Sequence, residues 1–243
     1  MTAAVDILAR GEAIVRLTDD PGLSSRLAER ETAVAALWEE AQKRQPALFD
    51  APLPHYLGLT ASSAETELRA TAIQFRQLHV ARLHPEWELG LMPIGVSGIT
   101  ICQDKKIVLA KRSLLVSQYK GYWELAPSGH LCSAAKPPAI LDHETALLEE
   151  LTQELGLAKS LVQECTTMGV LRDNTAPGVD VCCLIRVAAT AQDIEQAMRI
   201  AHSPREYTAL SFLALAEFRA IVEAADSLVP TSRELLRLVA SAL

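Results

Sequence analysis

From residue 92 to about 215 the chain alternates short β-branched runs with stretches of helical periodicity, and that alternation most narrows what it can fold into. MPIGVSGITIC (92–102) and IVLAKRS (107–113) are strand-like and are joined by the polar turn Gln103-Asp104-Lys105-Lys106, which predicts a hairpin. CTTMGVLRD and GVDVCCLIRVA read as two more strands punctuated by Pro177-Gly178, and EYTALSFLAL as another. HETALLEELTQELGL (143–157) and AQDIEQAMRIA read as helices, 114–128 as a loop, and the tail from 214 as mostly helical. Strands interleaved with helices predict a layered α/β domain.

The first 90 residues read differently. Ala, Leu and Val recur at three- and four-residue spacing through AAVDILARGEAIVRL and LSSRLAERETAVAALWEEAQKR, predicting two helices over 3–45 broken at Asp20-Pro21-Gly22. PHYLGLTAS and ETELRATAIQF are expected to be strands, and QFRQLHVARL a short helix ending at His84-Pro85. The expected division is an N-terminal helical or α+β extension over 1–90 and a second domain over 91–243. The extension has three readings: it packs on the second domain, forms a homodimer face, or shapes a substrate pocket.

The net charge of −7 disfavours nucleic acid and anionic membranes as partners, although a small anionic substrate needs only local cations or a metal. Five cysteines without a Cys-x-x-Cys pair point to buried thiols and a reducing, cytoplasmic compartment. No apolar run approaches the roughly 20 residues of a spanning helix.

The helix over 142–156 is where chemistry concentrates. Leu147, Leu148, Leu151 and Leu155 form one stripe, with Glu150 and Glu154 a turn apart at its edge, Gln153 on the same flank and Glu149 pointing away. Two carboxylates so placed repel unless water or a hard cation compensates them, and periodicity leaves both readings open.

The segment resembles the Nudix box, G-x5-E-x7-R-E-U-x-E-E-x-G-U, where U is aliphatic. Leu157, Gly156, Glu154, Leu151 and Glu150 fall on its positions, and Ala110-Lys111-Arg112-Ser113 with Gly121 to His130 resembles the family's approach to the box. The chain departs from the motif at Glu149, which stands in place of Arg, at Gln153 in place of Glu, and at the inserted stretch Leu131 to Leu141. Trp38, Leu48-Phe49-Asp50-Ala51-Pro52, Gly129-His130 and Gly169-Val170-Leu171-Arg172 are similar to the branch that includes UDP-glucose and UDP-galactose hydrolases.

This resemblance implies a Nudix-type α/β/α sandwich with a mixed sheet, preceded by an α+β extension, and a pyrophosphohydrolase acting on a small diphosphate substrate. The implied metal is Mg2+, with Mn2+ as an alternative, held by Glu150, Gln153 and Glu154. Glu150, Glu154 and Glu206 would be catalytic, with Glu206 as base or further ligand. Arg112, Gly129, His130 and Arg172 would bind substrate. A UDP-sugar leads as substrate; an isoprenoid diphosphate and a catalytically weakened ligand-binding module are the alternatives.

Overall fold

In the computed structural model the described residues are 3–61, 66–132, 136–200, 206–217 and 227–240. The chain divides into two compact units, and the division is not a single cut near residue 90. One unit comprises Met1–Ala13, Gly95–Gly129 and Asp142–Leu243; the other comprises Ile14–Ile94 and His130–Leu141. Among the described residues, no helix is long and apolar enough to cross a membrane.

The expected helix over 3–17 is instead a pair of strands, β1 (Val5–Arg10) and β2 (Ala13–Leu17). Ala13, Val15 and Leu17 are buried while Ile14 and Arg16 are not, so the apolar residues follow a period of two rather than of three to four. Gly11, at φ +79°, takes the left-handed turn between the strands that a side chain disfavours.

Asp20-Pro21-Gly22 begins a helix rather than dividing two. Asp20 caps α1 (Pro21–Arg44), its carboxylate accepting the Leu23 N–H at 2.9 Å, with Pro21 in the first turn where its missing N–H costs nothing. Leu23, Leu27, Val34 and Trp38 form the buried stripe of α1. The expected strands appear as β3 (Pro52–Ala61) and β4 (Thr66–Gln74), followed by α2 (Phe75–Leu83). With β2 and β9 (Ala139–Leu141) they make a four-stranded sheet in the order β3-β4-β2-β9. Leu23, Leu27, Leu53, Ile73 and Leu78 form a core here, and Trp38 meets Phe75 edge-on at 5.9 Å.

The other unit is built on an eight-stranded sheet. Its main path runs β1, β10 (Val162–Asp173), β11 (Gly178–Val187), β5 (Ile94–Ile101), β6 (Lys106–Arg112), β12 (Tyr207–Ala214). The expected loop over 114–128 contains two short strands, β7 (Trp123–Leu125) on β6 and β8 (Ser128–His130) on β5. An isolated parallel bridge also joins Trp123 to Leu228.

The 5–6 hairpin, the 10–11 hairpin and the helices α3 (His143–Leu155) and α4 (Ala191–Ile200) match the sequence reading. The tail forms α5 (Pro230–Ala240); the expected helical stretch over 218–226 lies outside the described residues.

Strand alternation sends side chains to helices on both sheet faces. Ile99, Ile101, Leu171, Cys182 and Leu184 join Leu235, Leu236, Leu238 and Val239 of α5 in one core. On the opposite face Gly98 lies under α3: a Cβ there would come within 3.0 Å of Ile185 and 3.3 Å of Leu147. That is the α/β/α layering expected from the sequence.

Replacing Asp20 by Ala is expected to cost about 1 kcal/mol, the usual value of a lost N-terminal cap. Urea denaturation would show a lower midpoint with an unchanged slope.

Candidate functional site

Helix α3 is fixed at both ends by residues legible in the sequence. Asp142 accepts the Thr145 N–H at 2.9 Å, and Gly156 closes the last turn at φ +71° with its N–H on the Thr152 carbonyl. Leu147, Leu151 and Leu155 are buried, while Leu148 is only half-buried. Packing this stripe on the sheet carries Glu154 inward, to 5% exposure.

Both partners of the Glu154 carboxylate are on one oxygen. Oε2 accepts the Ser128 backbone N–H at 3.0 Å and the Tyr207 hydroxyl at 3.2 Å. Oε1 is buried and has no hydrogen-bond partner among the described residues. The Glu206 carboxyl lies near that of Glu154. Burial first, then the contact with Glu206 and its charge, hold the Glu154 pKa well above the ordinary carboxylate range.

Glu150, one turn earlier, lies against bare backbone. A Cβ on Gly129 would fall 2.0 Å from Glu150 Oε1 and 2.2 Å from its carboxyl carbon, so any other residue here would force the Glu150 side chain to move. Gly129 has no left-handed φ; the constraint is space, not torsion.

Sheet registry gathers the remaining groups. On β6, Arg112 stands opposite Tyr207 of β12, and Ala110 stands opposite Glu124 of β7. Glu124 is buried and accepts a short hydrogen bond from Arg112 Nη1. Burial raises the Glu124 pKa despite opposition from Arg112, Tyr207 and Ser128. Burial alone would lower the Arg112 pKa, but Glu124 outweighs it and the net shift is upward. Arg112 Nε also donates to the Gln118 carbonyl at 3.1 Å, and the Ser113 N–H to the Glu206 carbonyl at 2.7 Å, so the loop after β6 is tied to the same place. At the start of β11, half-buried Asp180 accepts the Ser97 hydroxyl at 3.1 Å, and burial pushes its pKa up to about 6.

The structure therefore brings Glu154 and Glu206 together and sets Gly129 beside Glu150. Arg112 reaches the cluster, but as the partner of Glu124. Arg172 instead pairs with Asp6 across β1 and β10 at 2.5 Å. Gln153 is exposed, as is His130, which belongs to the other unit. Glu149 points away as expected and meets Lys159 at 3.5 Å. Among the described residues, no group of three or more His, Cys, Asp or Glu side chains is placed to hold a metal ion.

Sequence reading missed Tyr207, Glu124, Asp180 and the Ser128 N–H. Glu124 left one trace, a lone acid in the otherwise uncharged run Tyr122 to Pro127. Tyr207 left none beyond following Glu206.

Together, the layered sheet and its acid-bearing helix define a mixed α/β domain whose glutamates are drawn against backbone and into the interior. No family-wide sequence profile matches the chain. It is similar to a uridine diphosphate glucose pyrophosphatase, NUDT22, of Mus musculus, at 26% identity over 178 residues, covering 60% of this chain and 58% of that relative. The chain thus spans less than two thirds of the relative's length. Overlays on solved structures are loose. A MutT NUDIX hydrolase from Burkholderia pseudomallei gives a TM-score of 0.42 at 22% identity, covering 60% of this chain and 96% of that one. A MutT protein from Methanosarcina mazei Go1 gives 0.42 at 13%, covering 61% and 94%. The sequence match and the box-like helix make the chain similar to Nudix hydrolases.

The raised pKa of Glu154 has a consequence for stability, and its sign is fixed. Below the ordinary glutamate value of 4.5 the carboxyl is protonated in both folded and unfolded chains. As pH rises past 4.5 the unfolded chain ionises first, so the metal-free fold loses stability until the folded group also ionises. Glu154→Gln removes this loss. Its melting temperature without metal is expected to match the parent's near pH 4 and to exceed it at pH 8, by roughly 2–4 °C per kcal/mol regained. Calorimetry in EDTA across that range checks it, and an unchanged difference would refute it.

Proposed function

We propose that the chain is a metal-dependent hydrolase of the diphosphate linkage in a nucleoside diphosphate derivative, with a UDP-sugar as substrate. The observation that carries this reading is the buried, unpartnered Oε1 of Glu154 beside a second carboxyl, with Glu150 one turn away. An acid kept in so costly a setting implies a compensating charge.

The residues fit a hard divalent cation such as Mg2+, or Mn2+ in its place. The donors are all oxygen, and Mg2+ uses only one or two carboxylates while keeping several waters, so a three-residue cluster is not required. Glu154 and Glu150 would hold it, leaving Glu206 as base; exposed Gln153 would act only through water. When bound, the cation would neutralise the charge developing on the diphosphate oxygens and acidify a coordinated water.

The protein's part is then positioning and proton transfer. Glu206, exposed at the mouth of the pair, is suited to accept the proton of the attacking water. The oxygen of that water bonds to one phosphorus as the bridging P–O bond breaks, leaving UMP and sugar 1-phosphate. Arg112 acts through Glu124 and the loop at Gln118, which it holds in place, rather than as a free phosphate ligand. The similarity to a uridine diphosphate glucose pyrophosphatase supports the uridine sugar over an isoprenoid diphosphate.

Incubation with UDP-glucose and Mg2+ is expected to release UMP and glucose 1-phosphate. Glu154→Gln should lower the rate on the order of 100-fold or more. Gly129→Ala should also lower it, because its methyl takes the space of the Glu150 carboxyl. Turnover confined to prenyl diphosphates would move the substrate class, and binding without turnover across nucleotide sugars, dinucleotides and prenyl diphosphates would overturn the enzymatic reading.

A further inference from the structure

We infer that Tyr207 is a positioning residue, whose hydroxyl engages one oxygen of Glu154 so that the other is presented to the cation; this rests on the reading of the site given above. Tyr207 is 3% exposed at the first position of β12, held opposite Arg112 by the β6–β12 register. It is flanked by two buried acids and a serine: its hydroxyl donates to Glu154 Oε2 at 3.2 Å and lies 3.4 Å from Ser128 Oγ, with the Glu124 carboxyl nearby.

A carboxylate has two equivalent oxygens and turns about its last torsion unless something distinguishes them. Here the distinction is one-sided. Oε2 takes the Ser128 N–H and the Tyr207 hydroxyl, while Oε1 has no partner among the described residues. The Ser128 N–H alone constrains Oε2 from the β8 side; the Tyr207 hydroxyl constrains it from β12, and two donors on separate strands fix the carboxylate plane. Glu124, itself anchored by Arg112, lies near the phenol.

Such outer partners commonly contribute a factor of about 10–100 to metal affinity or activity. Tyr207→Phe keeps the ring and removes only the donor. Isothermal titration of the metal-free protein with Mg2+ is expected to show affinity about tenfold weaker or more for Tyr207→Phe. Activity against UDP-glucose should show a raised Mg2+ requirement, with the substrate KM at saturating metal within twofold of the parent.

Equal Mg2+ affinity in parent and variant would overturn the positioning role while leaving the metal reading intact. No Mg2+ binding by the parent would overturn the metal reading itself. If the Phe variant does not fold, Tyr207→Met, which fills similar length without a donor, takes its place under the same two criteria.

Discussion

One carboxylate organises this half of the molecule. Glu154 is carried into the interior because it shares a helix turn with Leu151 and Leu155, which must be buried, and its burial is only half compensated. Two donors from separate strands satisfy Oε2, while Oε1 is buried with no partner among the described residues. Leaving a buried acceptor unmet costs on the order of 1–3 kcal/mol, so the fold carries a local deficit that a bound charge is suited to cancel. Much of the surrounding architecture serves that arrangement: the cap at Asp142, the left-handed stop at Gly156, and the close approach of α3 over Gly98.

Around that acid the structure separates paired, buried groups from exposed ones. Arg112 and Glu124 neutralise each other in the interior, and the same guanidinium secures the Gln118 carbonyl, so a cation that sequence reading aimed at substrate instead stiffens the loop after β6. Glu206 stays exposed, with its backbone carbonyl tied to Ser113. Gly129 contributes by lacking a side chain, which leaves the space that the Glu150 carboxyl occupies. The departures from the Nudix box are readable in these terms. Gln153 stands on the exposed side of the helix, where a neutral residue in place of an acid removes charge without opening a hole. Glu149, in place of the motif's Arg, meets Lys159 at the surface.

The helix-borne acids, the α/β/α layering and most strands of the larger unit were legible in the sequence, because each depends on spacing along one segment. Leu147, Leu151 and Leu155 mark a buried stripe, and Glu154 beside it must come along. Residues 3–17 were misread because Ala, Val and Leu at short spacing satisfy both periods, and pairing decided between them: β1 finds β10 and β2 finds β9 far along the chain. The short strands β7 and β8 were read as loop because three residues carry no periodicity of their own. The roles of Arg112 and Arg172 depended on which acid each would meet, and Glu124 and Asp6 lie on other strands.

By itself, then, the sequence determined where helix α3 begins and ends, which of its faces is buried, and that two of its acids ride at the edge of that face. Those properties follow from local spacing and capping. Only tertiary structure decided that Tyr207 and the Ser128 N–H would share one oxygen of Glu154, that Glu206 would approach it, and that Gly129 would clear space for Glu150. Hydrogen bonds and steric exclusion act over a few ångströms, and the groups concerned are up to 79 residues apart in the chain. Strand registry brings them within that range.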